Sequence, residues 1–131
     1  MNPDNGHLAI VERWSPDRPS ESVEIDEHLI TGLLLQLHRE RSSMISVGID
    51  DWDLVLAASS GRWTASASRT SLDVFRSRVF DRSAEGDSVF REGGQDIVVP
   101  LRRITSSIDE INDVAVAFLA QRGLHGEWEA M

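Results

Sequence analysis

Residues 104–128, ITSSIDEINDVAVAFLAQRGLHGEW, constrain the chain more than any other stretch, because they spell a helix, both of its ends and the strand that follows. Ser107 followed by Glu110 is a capping-box pattern, in which each side chain can satisfy one orphan N–H of the first turn. Ile108, Ile111, Ala115, Phe118 and Leu119 recur at helical spacing, leaving Asp109, Asn112, Asp113 and Gln121 on the opposite face. Gly123 is the expected left-handed stop. Beyond it Leu124, Trp128 and Ala130 share one face of an extended segment, and His125, Glu127 and Glu129 share the other.

The rest of the chain supplies a sheet for that helix to cover. After a loose polar start over residues 1–6, residues 7–14 (HLAIVERW) predict a first strand with Leu8 and Ile10 alternating against Ala9 and Val11. Residues 15–22, SPDRPSES, predict a loop. Residues 26–41 predict the first long helix, N-capped by Asp26, with Leu29, Ile30, Leu33, Leu34 and Leu37 as its apolar face and Arg39 and Arg41 in its last turn. Between residues 43 and 68 the period changes to two. Ile45, Val47 and Ile49 alternate. Residues 54–58 are apolar on both faces, as in a covered central strand. Trp63, Ala65 and Ala67 oppose Thr64, Ser66 and Ser68 beyond a tight turn at Ser59, Ser60 and Gly61. Further strands are expected over residues 71–80 and 96–101, with a turn at 81–87 and a short return at 88–91. The expected fold is α+β: a mainly antiparallel, curved sheet of about five to seven strands packed by two helices, in strand–helix–meander–helix–strand order, as one domain spanning residues 1–131.

Charge and chemistry narrow the function classes. The net charge is −9, from 22 acidic residues against 13 basic ones, and every basic residue is arginine. Such a chain repels nucleic acid and acidic membranes and attracts basic partners, although solubility alone also accounts for the charge. No apolar run approaches the roughly 18–20 residues of a membrane helix, and no basic-then-apolar leader opens the chain. With no cysteine, thiolate catalysis, disulfides and thiolate metal sites are excluded, which fits a reducing cytosol. Gly93-Gly94 does not open a phosphate loop, a G-x-S-x-G elbow is absent, and His7, His28, His38 and His125 lack metal-ligand spacing. Carboxylate pairs exist at Asp51/Asp53 and Glu127/Glu129, but chance produces such neighbours in so acidic a chain. No catalytic residue, cofactor or metal is expected. Trp63 and Trp128 fall in strand alternations and are expected in the core. Trp52 lies in the acidic turn Asp50-Asp51-Trp52-Asp53, either as an exposed anchor for a partner or folded back over a sheet edge.

Residues 23–128 resemble the first-numbered immunity-protein family of bacterial polymorphic toxin systems. The resemblance rests on a Val–x–Ile–acid lead-in to a Leu-rich helix (VEIDEHLITGLLLQL), a β-meander, and a proline-containing strand entering a Ser-capped helix (VVPLRRITSSIDEINDVAVAFLAQRG). A terminal strand then carries Trp128. It implies a cytoplasmic, non-catalytic protein that blocks the active site of a cognate toxin domain. Toxins of such systems are often nucleases or nucleic-acid deaminases with basic clefts. The partner expected is therefore a basic toxin domain, with no direct contact to nucleic acid, membrane or metal. Candidate contacts, chosen for charge and expected exposure, are Asp50, Asp51, Trp52 and Asp53, then Glu85, Asp87 and Glu92 in a loop over residues 85–92, and Glu127 and Glu129. Two other classes stay open: a small-molecule-binding or enzymatic α+β domain with a pocket between helix and sheet, and a secretion-system chaperone or adaptor that binds an apolar or helical segment.

Overall fold

The computed structural model describes residues 6–13 and 20–131. The loose start over residues 1–5, Trp14 of the expected first strand and residues 15–19 of the expected loop lie outside the described residues. The described residues form an α+β fold of two α-helices and nine strands. In chain order these are β1 (His7–Arg13), β2 (Glu21–Ile25), α1 (Ile30–Leu37), β3 (Ser43–Ile49), β4 (Trp52–Ser59), β5 (Arg62–Arg69), β6 (Val74–Val79), β7 (Asp87–Glu92), β8 (Gln95–Pro100), α2 (Ile108–Leu119) and β9 (Glu127–Ala130). Seven strands make one antiparallel sheet in the order β2-β1-β3-β4-β5-β6-β9, and β7 pairs only with β8 in a second sheet. No helix among the described residues is long and apolar enough to cross a membrane.

Strand alternation decides the two faces of the large sheet. Ala9, Val11, Ile45, Val47, Leu54, Leu56, Ala58, Trp63, Ala65 and Ala67 point to the same side and pack with Ile30, Leu34, Leu37, Ile111, Val114, Ala115 and Phe118 of the helices. The helices are also joined by a hydrogen bond from Thr31 Oγ1 to Asn112 Oδ1 at 2.7 Å. The opposite face is partly covered by the β7–β8 hairpin. Phe90 is fully buried there, with the Arg62 guanidinium 5.7 Å over its ring. Arg62 also donates to Ser88 Oγ (2.9 Å) and to the Val89 carbonyl (2.7 Å). The buried hydroxyls of Ser42 and Ser59 bond the backbone of Arg91.

The local devices act as their residue types dictate, with some shifts of position. Asp26 Oδ1 accepts from the N–H groups of His28 and Leu29 at 2.8 and 2.7 Å, and so caps the turn that leads into α1. The helix ends at Leu37, short of residue 41, so Arg39 and Arg41 lie beyond its last turn. The chain must straighten there to enter β3. Ser107 caps α2 by accepting from the Glu110 N–H. Glu110 does not return the bond to Ser107, because Thr105 Oγ1 already takes the Ser107 N–H at 3.0 Å. α2 ends at Leu119, four residues before the expected glycine. Gln121 adopts a φ of +58°, its N–H bonds the Phe118 carbonyl, and the Arg122 N–H bonds that of Ala117, which is a Schellman closure.

Three strand assignments also differ from expectation. Residues 21–22, expected in a loop, begin β2, which pairs along β1 from Ile25 opposite His7 to Glu21 opposite Val11. The loop expected over residues 85–92 is largely β7, and the DIVVPL strand is its partner β8 rather than a member of the main sheet. Trp52 opens β4 opposite Ile49, so only Asp50 and Asp51 form the turn.

Candidate functional site

The open part of the second sheet face is an apolar strip set among small and acidic side chains. Because β-pairing places partners side by side, the registers define one row across all seven strands: Ser22, Ile10, Ser46, Val55, Ser66, Ser77 and Glu129. Four of its members are serines with little side-chain height, which leaves Ile10 exposed and Val55 half-buried between them. Leu8 lies two residues from Ile10 on the same face. Leu8 is 71% exposed and Ile10 48% exposed, although β1 is an interior strand of the sheet. Apolar side chains exposed in the middle of a sheet are the kind of feature that marks a contact surface. Glu12, Glu24 and Asp53 share this face by alternation, and none of them makes an ion pair with a described residue.

The residues singled out by charge fall in three separate places. At the β3–β4 turn, Asp50 and Asp53 are exposed and make no ion pair with a described residue, but Asp51 is committed internally. Its Oδ2 accepts from Arg69 Nε (3.0 Å), Arg69 Nη2 (2.7 Å) and Ser71 Oγ (3.0 Å). The Arg69 hydrogen bonds hold the Asp51 carboxyl below its usual range. Trp52 is half-buried against the core, with the Arg69 guanidinium 5.4 Å over its ring. It therefore folds back on the sheet end, where it lines a groove of about 170 Å³ with Ile49, Asp50, Phe118, Gln121 and Gly123.

The Glu127/Glu129 pair sits on β9, the sheet edge opposite β2, and is also neutralised from within. Arg82 binds Glu127, and Arg82, Arg102 and Arg103 converge on Glu129 at 3.0, 2.9 and 2.5 Å. The Arg103 hydrogen bond leads the effects that pull the Glu129 carboxyl down to about 2. A carboxylate so compensated has little field left to attract a partner.

Glu85 and Asp87 are exposed at the entry to β7 and make no ion pair among the described residues. Glu92 lies at the other end of that strand, about 17 Å away at the usual rise per residue. It is half-buried in a cleft of about 170 Å³ between β8 and strands β5 and β6. Burial raises its carboxyl above the usual value.

Sequence reasoning missed Leu8, Ile10, Glu12, Glu24 and Val55 as surface elements. The available signal was that β1 is apolar on both faces; what it does not reveal is that the hairpin covers only part of the second one. Among the described residues no group of three or more His, Asp or Glu side chains is gathered in a way that would hold a metal ion. No family model, curated protein or solved structure matches the chain.

Proposed function

We propose that this protein is an immunity-type inhibitor that blocks the basic active-site cleft of a toxin domain, a nuclease or nucleic-acid deaminase, through the open half of its second sheet face. The observation that carries the reading is the exposed Leu8–Ile10 pair, continued across the sheet by half-buried Val55 and flanked by the carboxylates of Glu12, Glu24 and Asp53, which make no ion pair with a described residue. An apolar centre supplies affinity by excluding water, and an acidic surround steers a cationic partner and rejects anionic ones. Fully burying Leu8 and Ile10 is worth roughly 1.5–3 kcal/mol each. Asp50 and Asp53 extend the acidic surface around the β3–β4 turn, whereas Asp51, Glu127 and Glu129 spend their charge on internal arginines. The resemblance to immunity proteins points to the same partner chemistry.

The test is co-purification with the toxin-like C-terminal domain encoded beside this gene, followed by calorimetry. The wild-type complex is expected at nanomolar affinity or tighter, weakening as salt rises. Ile10→Asp should reduce affinity by more than about tenfold while leaving the unfolding midpoint nearly unchanged, because the side chain is exposed. Absence of a complex, or indifference of the complex to Ile10→Asp, counts against this assignment.

A further inference from the structure

The cleft beneath β8 holds polar groups that no described residue satisfies. Its lining includes the Thr64, Ser66 and Ser77 hydroxyls and the Glu92 carboxylate, with Ile97, Val99 and Pro100 as apolar wall. Ser66 and Ser77 belong to the row that contains Ile10 and Val55, and Thr64 stands on the same face of β5 two residues before Ser66. Among the described residues Glu92 makes neither a hydrogen bond nor an ion pair through its side chain, and burial alone accounts for its raised carboxyl. The cleft withdraws this carboxylate partly from water, so its charged form loses some hydration that a donor entering the cleft would restore. The other charged group of the cleft, Arg103, is bound to Glu129 at 2.5 Å and so is not free to compensate Glu92.

Size and chemistry together select the occupant. About 170 Å³ is well below the roughly 300–1,000 Å³ of sites that enclose a whole small molecule. It suits one long side chain. A carboxylate with hydroxyl acceptors beside it matches the several donors of a guanidinium better than the compact ammonium of lysine. The aliphatic stem would lie along Ile97 and Val99.

We propose that this cleft is an anchor socket for a single arginine side chain of the basic partner, with Glu92 receiving the guanidinium and Thr64, Ser66 and Ser77 taking its remaining donors. The socket rests on the partner chemistry proposed above and places one specific contact next to the open strip.

Propylguanidinium, butylammonium and butanol, titrated separately into the isotope-labelled full chain at neutral pH and low salt, test the socket without the partner. Propylguanidinium is expected to move the amide resonances of Ser66, Ser77, Glu92 and Val98 with millimolar affinity and to do so several-fold more tightly than butylammonium. Butanol should leave them in place, and Glu92→Gln should abolish the response, whereas Glu85→Gln should preserve it. Uniform shifts at every surface carboxylate, an undiminished response in Glu92→Gln, or an equal response to butylammonium would overturn the arginine socket. With the partner in hand, Glu92→Gln should weaken the complex about 10- to 100-fold. A tight wild-type complex indifferent to Glu92→Gln would remove the socket but leave the binding function standing. A protein that takes up propylguanidinium at Glu92 but binds no toxin domain would do the reverse.

Discussion

At the scale of single residues, the least obvious roles belong to side chains whose partners are distant in the chain. Trp63 is fully buried, and its indole N–H donates to His38 Nδ1 at 2.8 Å, with the two rings stacked at 6.3 Å. The sequence marks Trp63 as core through strand alternation. His38, for which spacing offers no role, serves as the acceptor that makes burial of an indole N–H tolerable. Gln121 is a second case. It occupies the left-handed position that closes α2, at φ +58°, although Gly123 lies two residues further on. A side chain with a Cβ is strained there, so Gln121→Gly should stabilise the protein by about 0.5–1 kcal/mol. The readout is a rise in the urea midpoint with unchanged slope; an unchanged or lower midpoint would show that the Gln121 side chain gains more from its groove than glycine gains from its freedom.

At the scale of elements, β9 shows how a four-residue edge strand is held in place. It pairs along β6 from Glu127 opposite Val79 to Ala130 opposite Arg76, and its two glutamates are tied to Arg82, Arg102 and Arg103 from the opposite side of the β7–β8 excursion. The Glu129 carboxyl is lowered from 4.5 to about 2, so its contribution to stability is complete above pH 4.5 and is lost as pH falls toward 2. With the exposed Arg82 arm discounted for screening, that contribution is about 1–2 kcal/mol. Glu129→Gln should therefore lower stability by this amount at neutral pH and match the wild type near pH 2. Urea melts of both proteins between those limits check the prediction, and a difference that persists undiminished in acid would disprove the linkage. The pairing was not legible beforehand. Spacing places Glu127 and Glu129 on one face of a strand, but the arginines that neutralise them come from residues 82, 102 and 103.

At the scale of the whole molecule, the charge is distributed unevenly. Glu12, Glu21, Glu24, Asp26 and Glu27 gather around the β1–β2 end of the sheet, while Arg62, Arg69, Arg76, Arg78, Arg82, Arg102 and Arg103 belong to β5, β6 and the segments beside them. A cationic partner is steered toward the acidic end, which includes the open strip. Glu24→Lys combined with Asp53→Lys should slow association with the proposed toxin partner about tenfold at low salt, with the difference vanishing at about 0.5 M salt, and should change dissociation little. Stopped-flow association measured across that salt range decides it. A loss confined to the dissociation rate would mean that these carboxylates touch the partner closely rather than guide it from a distance.

The sequence by itself determined the features that depend on neighbours along the chain. The Ser107 cap, the apolar stripe of α2, the alternation of β3 to β5 and the turn at Ser60-Gly61 all follow from backbone dihedrals and short spacings. It also specified an α+β fold, since the helical and extended periods occur in an order that needs a helix-covered sheet. Only the tertiary structure decided which acidic groups remain available. Asp51, Glu127 and Glu129 are neutralised by arginines far away in sequence, Glu92 is drawn into a cleft, and Glu24 and Asp53 stay unpaired on the surface. The same holds for Leu8 and Ile10. Their alternation shows that they share a face, but exposure depends on where the hairpin of residues 87–100 docks, and that is set by long-range contacts of Phe90 and Arg62 rather than by any local pattern.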